Sequence, residues 1–103
     1  MAIIRKYIKN KNTYKITFTL PDYLEKAFDS ASVVGDFNNW DSEVNKMKKN
    51  KRTGLYSTIV ELEAGREYRF RYVVNGNIWL NDPDADMFEP TSFGDSENCV
   101  LLL

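Results

Sequence analysis

From Tyr14 the chain alternates, with Tyr14, Ile16, Phe18 and Leu20 on one side and Lys15, Thr17 and Thr19 on the other, until Pro21 stops the pattern. A period of two is that of a strand with one buried face. The same period returns at Tyr56, Thr58, Val60 and Leu62, and again at Tyr68, Phe70, Tyr72 and Val74 with Arg69 and Arg71 opposite. Strands of this kind build antiparallel sheets with one dry and one wet face. Shorter strand candidates are Ile3 to Ile8, Ser32 to Gly35, Ile78 to Leu80 and Asn98 to Leu103, and Tyr23 to Phe28 is the one stretch expected to make a helical turn or two. Gly35-Asp36, Thr53-Gly54, Ala64-Gly65 and Asn75-Gly76 supply the turn chemistry between them.

Seven or so short strands at this spacing predict an all-β fold, an immunoglobulin-like β-sandwich of about seven antiparallel strands. The Cys…Trp…Cys signature of antibody domains is absent, and an aromatic-lined OB barrel is the architectural alternative. The 103 residues are those of one domain, 1–103, with no repeat, linker or low-complexity tract. Hydrophobic residues at 43% against 28% charged suit a packed core rather than disorder.

Composition excludes much chemistry. Without histidine, neither a Ser/His/Asp nor a Cys/His nucleophile can be assembled, and no imidazole metal site can form. The single Cys99 is expected in the core. A net charge of −1 argues against a general nucleic-acid binder, and the basic run Lys46, Lys48, Lys49, Lys51 and Arg52 reads as a solvated hairpin turn. The first ten residues carry Arg5, Lys6 and Lys9 with no continuous apolar run, so the expectation is a cytoplasmic protein with no membrane partner and no cofactor.

Asp82, Asp84, Asp86 and Glu89 alternate like a calcium loop but lack its turn glycine at the sixth position, so no metal site is assigned and a solvated loop with Asp82 capping a turn is expected. The same carboxylates do not make a glycosidase, which needs two across a deep cleft with one held protonated. No catalytic residue is assigned.

The most informative stretch is Val33-Val34-Gly35-Asp36-Phe37-Asn38-Asn39-Trp40, an apolar strand ending in a Gly-Asp turn followed by two amides and a Trp. Here the chain resembles the isoamylase-type early-set, or glycogen-binding, carbohydrate-binding domains, such as those of the AMP-activated protein kinase β subunit and of glycogen branching and debranching enzymes. The likeness continues through Met47, Gly54, Gly65 to Tyr72, Asn75 to Trp79, Asp82-Pro83 and Phe93-Gly94. It implies α-glucan binding, with Trp40 and Trp79 as platforms, Arg71 as the basic residue before the second Trp, Phe93 as the apolar contact of a later loop and Asn98 as its amide. That loop departs from the family pattern, since Gly94-Asp95-Ser96-Glu97-Asn98 puts Glu97 at the amide position unless one residue is inserted. Phe93 reads equally well as a loop anchor.

A pyranose has an apolar C–H face that can lie on an indole and hydroxyls that need directional partners, so aromatics beside an amide and a guanidinium are a suitable lining. Arg71 points to the wet face. Trp79 joins it only if the hairpin loop is three residues, Asn75 to Asn77, which sets Trp79 opposite Val73, with Asn77 suited to a left-handed conformation; a two-residue loop would turn Trp79 inward. The reading is a non-catalytic module standing alone that binds glycogen, starch or maltooligosaccharides, because in the family's enzymes catalysis belongs to a separate barrel domain. The alternative is a protein-interaction module that docks on a glycogen- or starch-metabolising enzyme or on itself without binding sugar, since exposed Trp, Arg and Tyr serve that role equally.

Overall fold

The computed structural model describes residues 3–20, 29–91 and 96–103. Within them the chain forms β1 (Ile3–Ile8), β2 (Thr13–Thr19), β3 (Ala31–Gly35), β4 (Lys48–Lys49), β5 (Tyr56–Glu63), β6 (Glu67–Val74), β7 (Ile78–Leu80), β8 (Met87–Pro90) and β9 (Glu97–Leu102), and no helix. One sheet runs β1-β2-β5-β4 and the other β3-β6-β9-β8, with β7 also paired to β6 and every pairing antiparallel. The all-β sandwich is as expected, with two more strands than the periodicity displays. Both additions, β4 and β8, are too short or too exposed to alternate. The Tyr23 to Phe28 stretch lies outside the described residues, among which no helix is long and apolar enough to cross a membrane.

The core follows the parity of the strands. Ile16, Phe18 and Leu20 from the first sheet meet Val33, Phe70, Tyr72, Val74, Cys99 and Leu101 from the second, all buried. Phe18 is central, with ring centroids 5.0 Å from Phe70 and 6.4 Å from Tyr72. Burying each such ring contributes about 1.5–3 kcal/mol. At one edge Arg5 of β1 pairs with Asp86 at 2.6 Å, and Asp86 accepts the Leu102 amide at 2.7 Å, tying the two sheets together. The basic run is the exposed β4–β5 turn, organised by Asn50 Oδ1, which accepts the amides of Arg52 and Thr53.

Two expectations need correcting. The outer face of the second sheet is not uniformly wet: Val34, Val73 and Val100 are buried there, beside Arg71 and Arg69 in register. Nor is Asp82 solvated. It does cap a turn, accepting the Asp84 amide at 2.9 Å, but it is fully buried and its other oxygen accepts the Tyr72 hydroxyl at 2.6 Å. Its backbone N–H meets Cys99 Sγ at 3.2 Å, so the residues after β7 are fastened to the core by one carboxylate, one phenol and one thiol. Burial pushes the Cys99 thiol up to about 11 and raises the Tyr72 hydroxyl strongly. Burial also raises the Asp82 carboxyl, an effect the Tyr72 hydrogen bond opposes.

The linkage has a definite sign. A carboxyl whose folded pKa is raised favours folding below its unfolded pKa and loses that contribution as pH rises through the folded one. Removing the hydroxyl raises Asp82 further and leaves a buried oxygen unpaired, so Tyr72→Phe is expected to cost about 1–3 kcal/mol at neutral pH and less as the solution is taken toward about pH 4. Urea unfolding of both proteins across that range measures the difference, and a pH-independent loss would contradict the assignment.

Candidate functional site

The connection after β3 is built residue by residue. Gly35 passes so close to β6 that a Cβ would lie 2.3 Å from the Arg69 carbonyl oxygen and 2.8 Å from the Phe37 ring. Asp36 then brackets Arg69: its amide donates to the Arg69 carbonyl at 3.0 Å, and its Oδ2 accepts the Arg69 amide at 2.9 Å. Phe37 turns inward, stacking 6.0 Å from Phe18. Asn38 is buried and pins the loop, accepting the Gly35 amide at 3.0 Å while its Nδ2 donates to the Val33 carbonyl and to Asn45 Oδ1. The chain therefore uses Asn38 as a structural pin.

Asn39 and Trp40 follow with φ of 56° and 58°. A left-handed conformation at an aromatic residue costs of order 1–2 kcal/mol and persists only where the surroundings impose it. Here the Trp40 amide donates to the Gly35 carbonyl at 3.0 Å, closing the loop back on the strand end. The result is a half-buried Trp40 whose ring lies 6.5 Å from that of Trp79, at an interplanar angle of 26°.

Trp79 arrives from the other side by register. Val74 pairs with Ile78 and Val73 with Trp79, so the connection is Asn75 to Asn77 and Trp79 emerges on the outer face, 45% exposed. The left-handed residues are Asn75 and Gly76, with φ of 51° and 78°, rather than Asn77, whose amide donates to the Val74 carbonyl. This is the positive-φ pattern of a type I′ turn with one residue added. Arg71 stands over Trp79, its guanidinium carbon 5.6 Å from the ring centroid, a cation–π arrangement. Its Nε donates to Asn81 Oδ1 at 2.9 Å, and Asn81 Nδ2 donates to the Glu97 carbonyl at 3.0 Å, so the arginine is held over the indole.

Trp40, Arg71, Trp79 and Asn98 line one groove of about 610 Å³, together with Glu89, Pro90, Thr91 and Ser96. That volume falls within the usual range for sites that take a small ligand. Glu97 is exposed and does not line it, its carbonyl accepting from Asn81, whereas Asn98 beside it does line the groove. Phe93 lies outside the described residues. Thr91 and Ser96 close the end of β8 and β9 through a hydroxyl–hydroxyl hydrogen bond and a 3.1 Å backbone one. Asn81, Glu89, Thr91 and Ser96 were missed from sequence because each is polar in a stretch without periodicity; the alternation that places Arg71 outward is the only local signal near them. Of the described residues, no group of three or more Cys, Asp or Glu is placed to hold a metal ion.

A shallow groove with two near-parallel indoles, a guanidinium and an amide on a β-sandwich has the make-up of a carbohydrate-binding module. The chain belongs to the carbohydrate-binding module 48 (isoamylase N-terminal domain) family, whose model matches residues 23–86, more than half of its length. Similar curated proteins are the 1,4-alpha-glucan branching enzyme GlgB of Marinobacter nauticus, 40% identical over 63 residues, and that of Mesorhizobium japonicum, 37% identical over 43 residues. The matches take in 58% and 41% of this chain but only 10% and 6% of those enzymes. The family is of a binding module that is not catalytic by itself, and in these relatives it forms part of a larger enzyme.

If Asn38 sets the Trp40 conformation, Asn38→Ala is expected to destabilise the fold by about 1–3 kcal/mol, since it strands buried backbone groups. It should also weaken the exciton coupling between the two indoles in circular dichroism. A variant that keeps the full coupling would show that the pin is not needed.

Proposed function

We propose that this protein is a non-catalytic module that binds α-1,4-linked glucan, such as glycogen, starch or maltooligosaccharides, in the groove lined by Trp40, Trp79, Arg71 and Asn98. The observation that carries the reading is the Trp40–Trp79 pair, two indole planes 26° apart with an arginine over one of them. Consecutive glucose units would lie with their C–H faces on the two rings, while Arg71 and Asn98 donate to ring-edge hydroxyls; Phe93 is proposed as a further apolar contact. The similar proteins are 1,4-alpha-glucan branching enzymes, which supports this class of ligand. A shallow site buries little of its ligand, so single-site affinity is expected to be weak and retention to come from the many chain ends of a polymer.

A second reading has its own support. Ile4 and Ile59 are exposed on the outer face of the first sheet and aligned through Thr17 by the strand register, on the side away from the groove. Since the matched relatives carry this domain as a small part of an enzyme, that strip would seat a glycogen- or starch-metabolising enzyme chain, or a second copy, without any sugar in the groove.

Titration with maltoheptaose, followed by tryptophan fluorescence with cellohexaose as control, is the test. Saturable quenching by maltoheptaose alone is expected. Trp40→Asn relieves the left-handed strain, because Asn tolerates that region, while it removes half of the platform. Its stability is expected to stay within about 1 kcal/mol of wild type and its binding to fall tenfold or more. No response of the folded wild type at millimolar sugar would refute the carbohydrate reading and leave the Ile4 and Ile59 face as the place to look.

A further inference from the structure

Glu89 lines the same groove as Trp79, and the strand register explains what it does there. Arg71 on β6, Asn98 on β9 and Glu89 on β8 all project from the outer face of the second sheet: Asn98 and Glu89 are direct partners, and Arg71 is one residue beyond the Phe70–Cys99 pair. Neighbouring strands lie about 4.8 Å apart, so the three form a row across the floor of the groove. Two of the three can donate. Only Glu89 is an acceptor alone, which suits a sugar hydroxyl that has a proton to give.

Glu89 is half-buried on a short edge strand, and Arg69 holds its carboxylate in place. Its Nε donates to Glu89 Oε1 at 2.8 Å and its Nη2 to Oε2 at 3.1 Å, a two-pronged clamp in which each carboxylate oxygen keeps a lone pair. Arg69 is itself held by Asp36, 3.7 Å away, the residue that follows Gly35 at the root of the Trp40 loop. The clamp and the aromatic platform thus share one anchor.

We propose that Glu89 is a specificity-determining residue of the groove, accepting hydrogen bonds from the hydroxyls of a neutral glucan, and that Arg69 is the positioning residue that aims it. This rests on the glucan reading above. Its chemical consequence is selection: a ligand whose hydroxyls are capped as ethers, or replaced by an anionic group, meets an unsatisfied or repelling carboxylate.

The experiment is maltoheptaose titration of wild type, Glu89→Gln, Arg69→Met, Arg69→Lys and the double variant Glu89→Gln/Arg69→Met between about pH 7 and about pH 4, the range in which an unsupported glutamate takes up its proton. Glu89→Gln keeps the shape and removes the charge, and is expected to weaken binding about three- to tenfold. Hydrogen bonding to Arg69 holds the Glu89 carboxyl below the usual range, so wild-type affinity should be flat with pH. In Arg69→Met that support is gone, and binding should weaken progressively as the carboxyl takes up a proton and ceases to be an acceptor alone. Arg69→Lys should restore part of the flatness. The charged groups nearby are Arg71, and Asp36 and Glu67 beside Arg69, with Glu97 exposed at the start of β9. If any of these were responsible, the double variant would keep the pH slope, whereas the proposal requires it to be lost. Wild-type binding with unchanged Glu89→Gln affinity, or a slope that survives in the double variant, overturns the proposal and spares the glucan reading; a wild type that does not bind maltoheptaose overturns both.

Discussion

Everything at the groove depends on how closely β3 ends against β6. With a side chain on Gly35, the backbone could not lie where the Arg69 carbonyl already is, and Asp36 could not bracket that residue from both its amide and its carboxylate. Once the bracket is in place, only a tight loop returns Asn38 to the strand end, and that loop forces two successive residues into the left-handed region. The unfavourable conformation of Trp40 is therefore a consequence of a close backbone approach some five residues earlier. Local strain of this kind at a ligand site is sustained by surrounding contacts, here a phenylalanine in the core and a buried amide with three hydrogen bonds.

The same strand, β6, organises both faces. Inward, Tyr68, Phe70, Tyr72 and Val74 are core; outward, Arg69, Arg71 and Val73 set the groove. Tyr72 does both jobs, since its hydroxyl reaches Asp82 and so fixes the segment that follows Trp79. The platform is thus held at each end by buried polar contacts, Asn38 on one side and Asp82 on the other, and neither residue lines the groove.

How much of this was legible in the sequence follows from what each residue's signal is. Alternation exposed the long strands and the outward set of Arg71, because period two is a property of local sequence. Parity tied the length of the Asn75 to Asn77 connection to the face of Trp79 without choosing between the two lengths; the register of Val73 with Trp79 is that of the three-residue loop, with Asn75 and Gly76 left-handed rather than Asn77. Asp82 looked like part of a solvated acidic loop because nothing local says that a tyrosine ten residues earlier will bury it. The groove roles of Glu89 and Asn81 were hidden for a similar reason: their partners, Arg69 and Arg71, are 20 and 10 residues away and are met only through strand pairing, across β6, β9 and β8 for Glu89 and across the β6–β7 hairpin for Asn81. Val34, Val73 and Val100 showed as apolar, yet the sequence could not tell that the wet face would have an apolar floor.

The central claim is that sugar lies on the Trp40–Trp79 surface. The most direct measurement is a set of amide, indole and guanidinium NMR shifts recorded as maltoheptaose is added. Concerted changes are expected at the Trp40 and Trp79 indole N–H, at Arg71 Nε–H and at the Asn98 side chain, with Ile4 and Ile59 unmoved. Changes confined to the Ile4 and Ile59 face, or none at the indoles under saturating sugar, would contradict it.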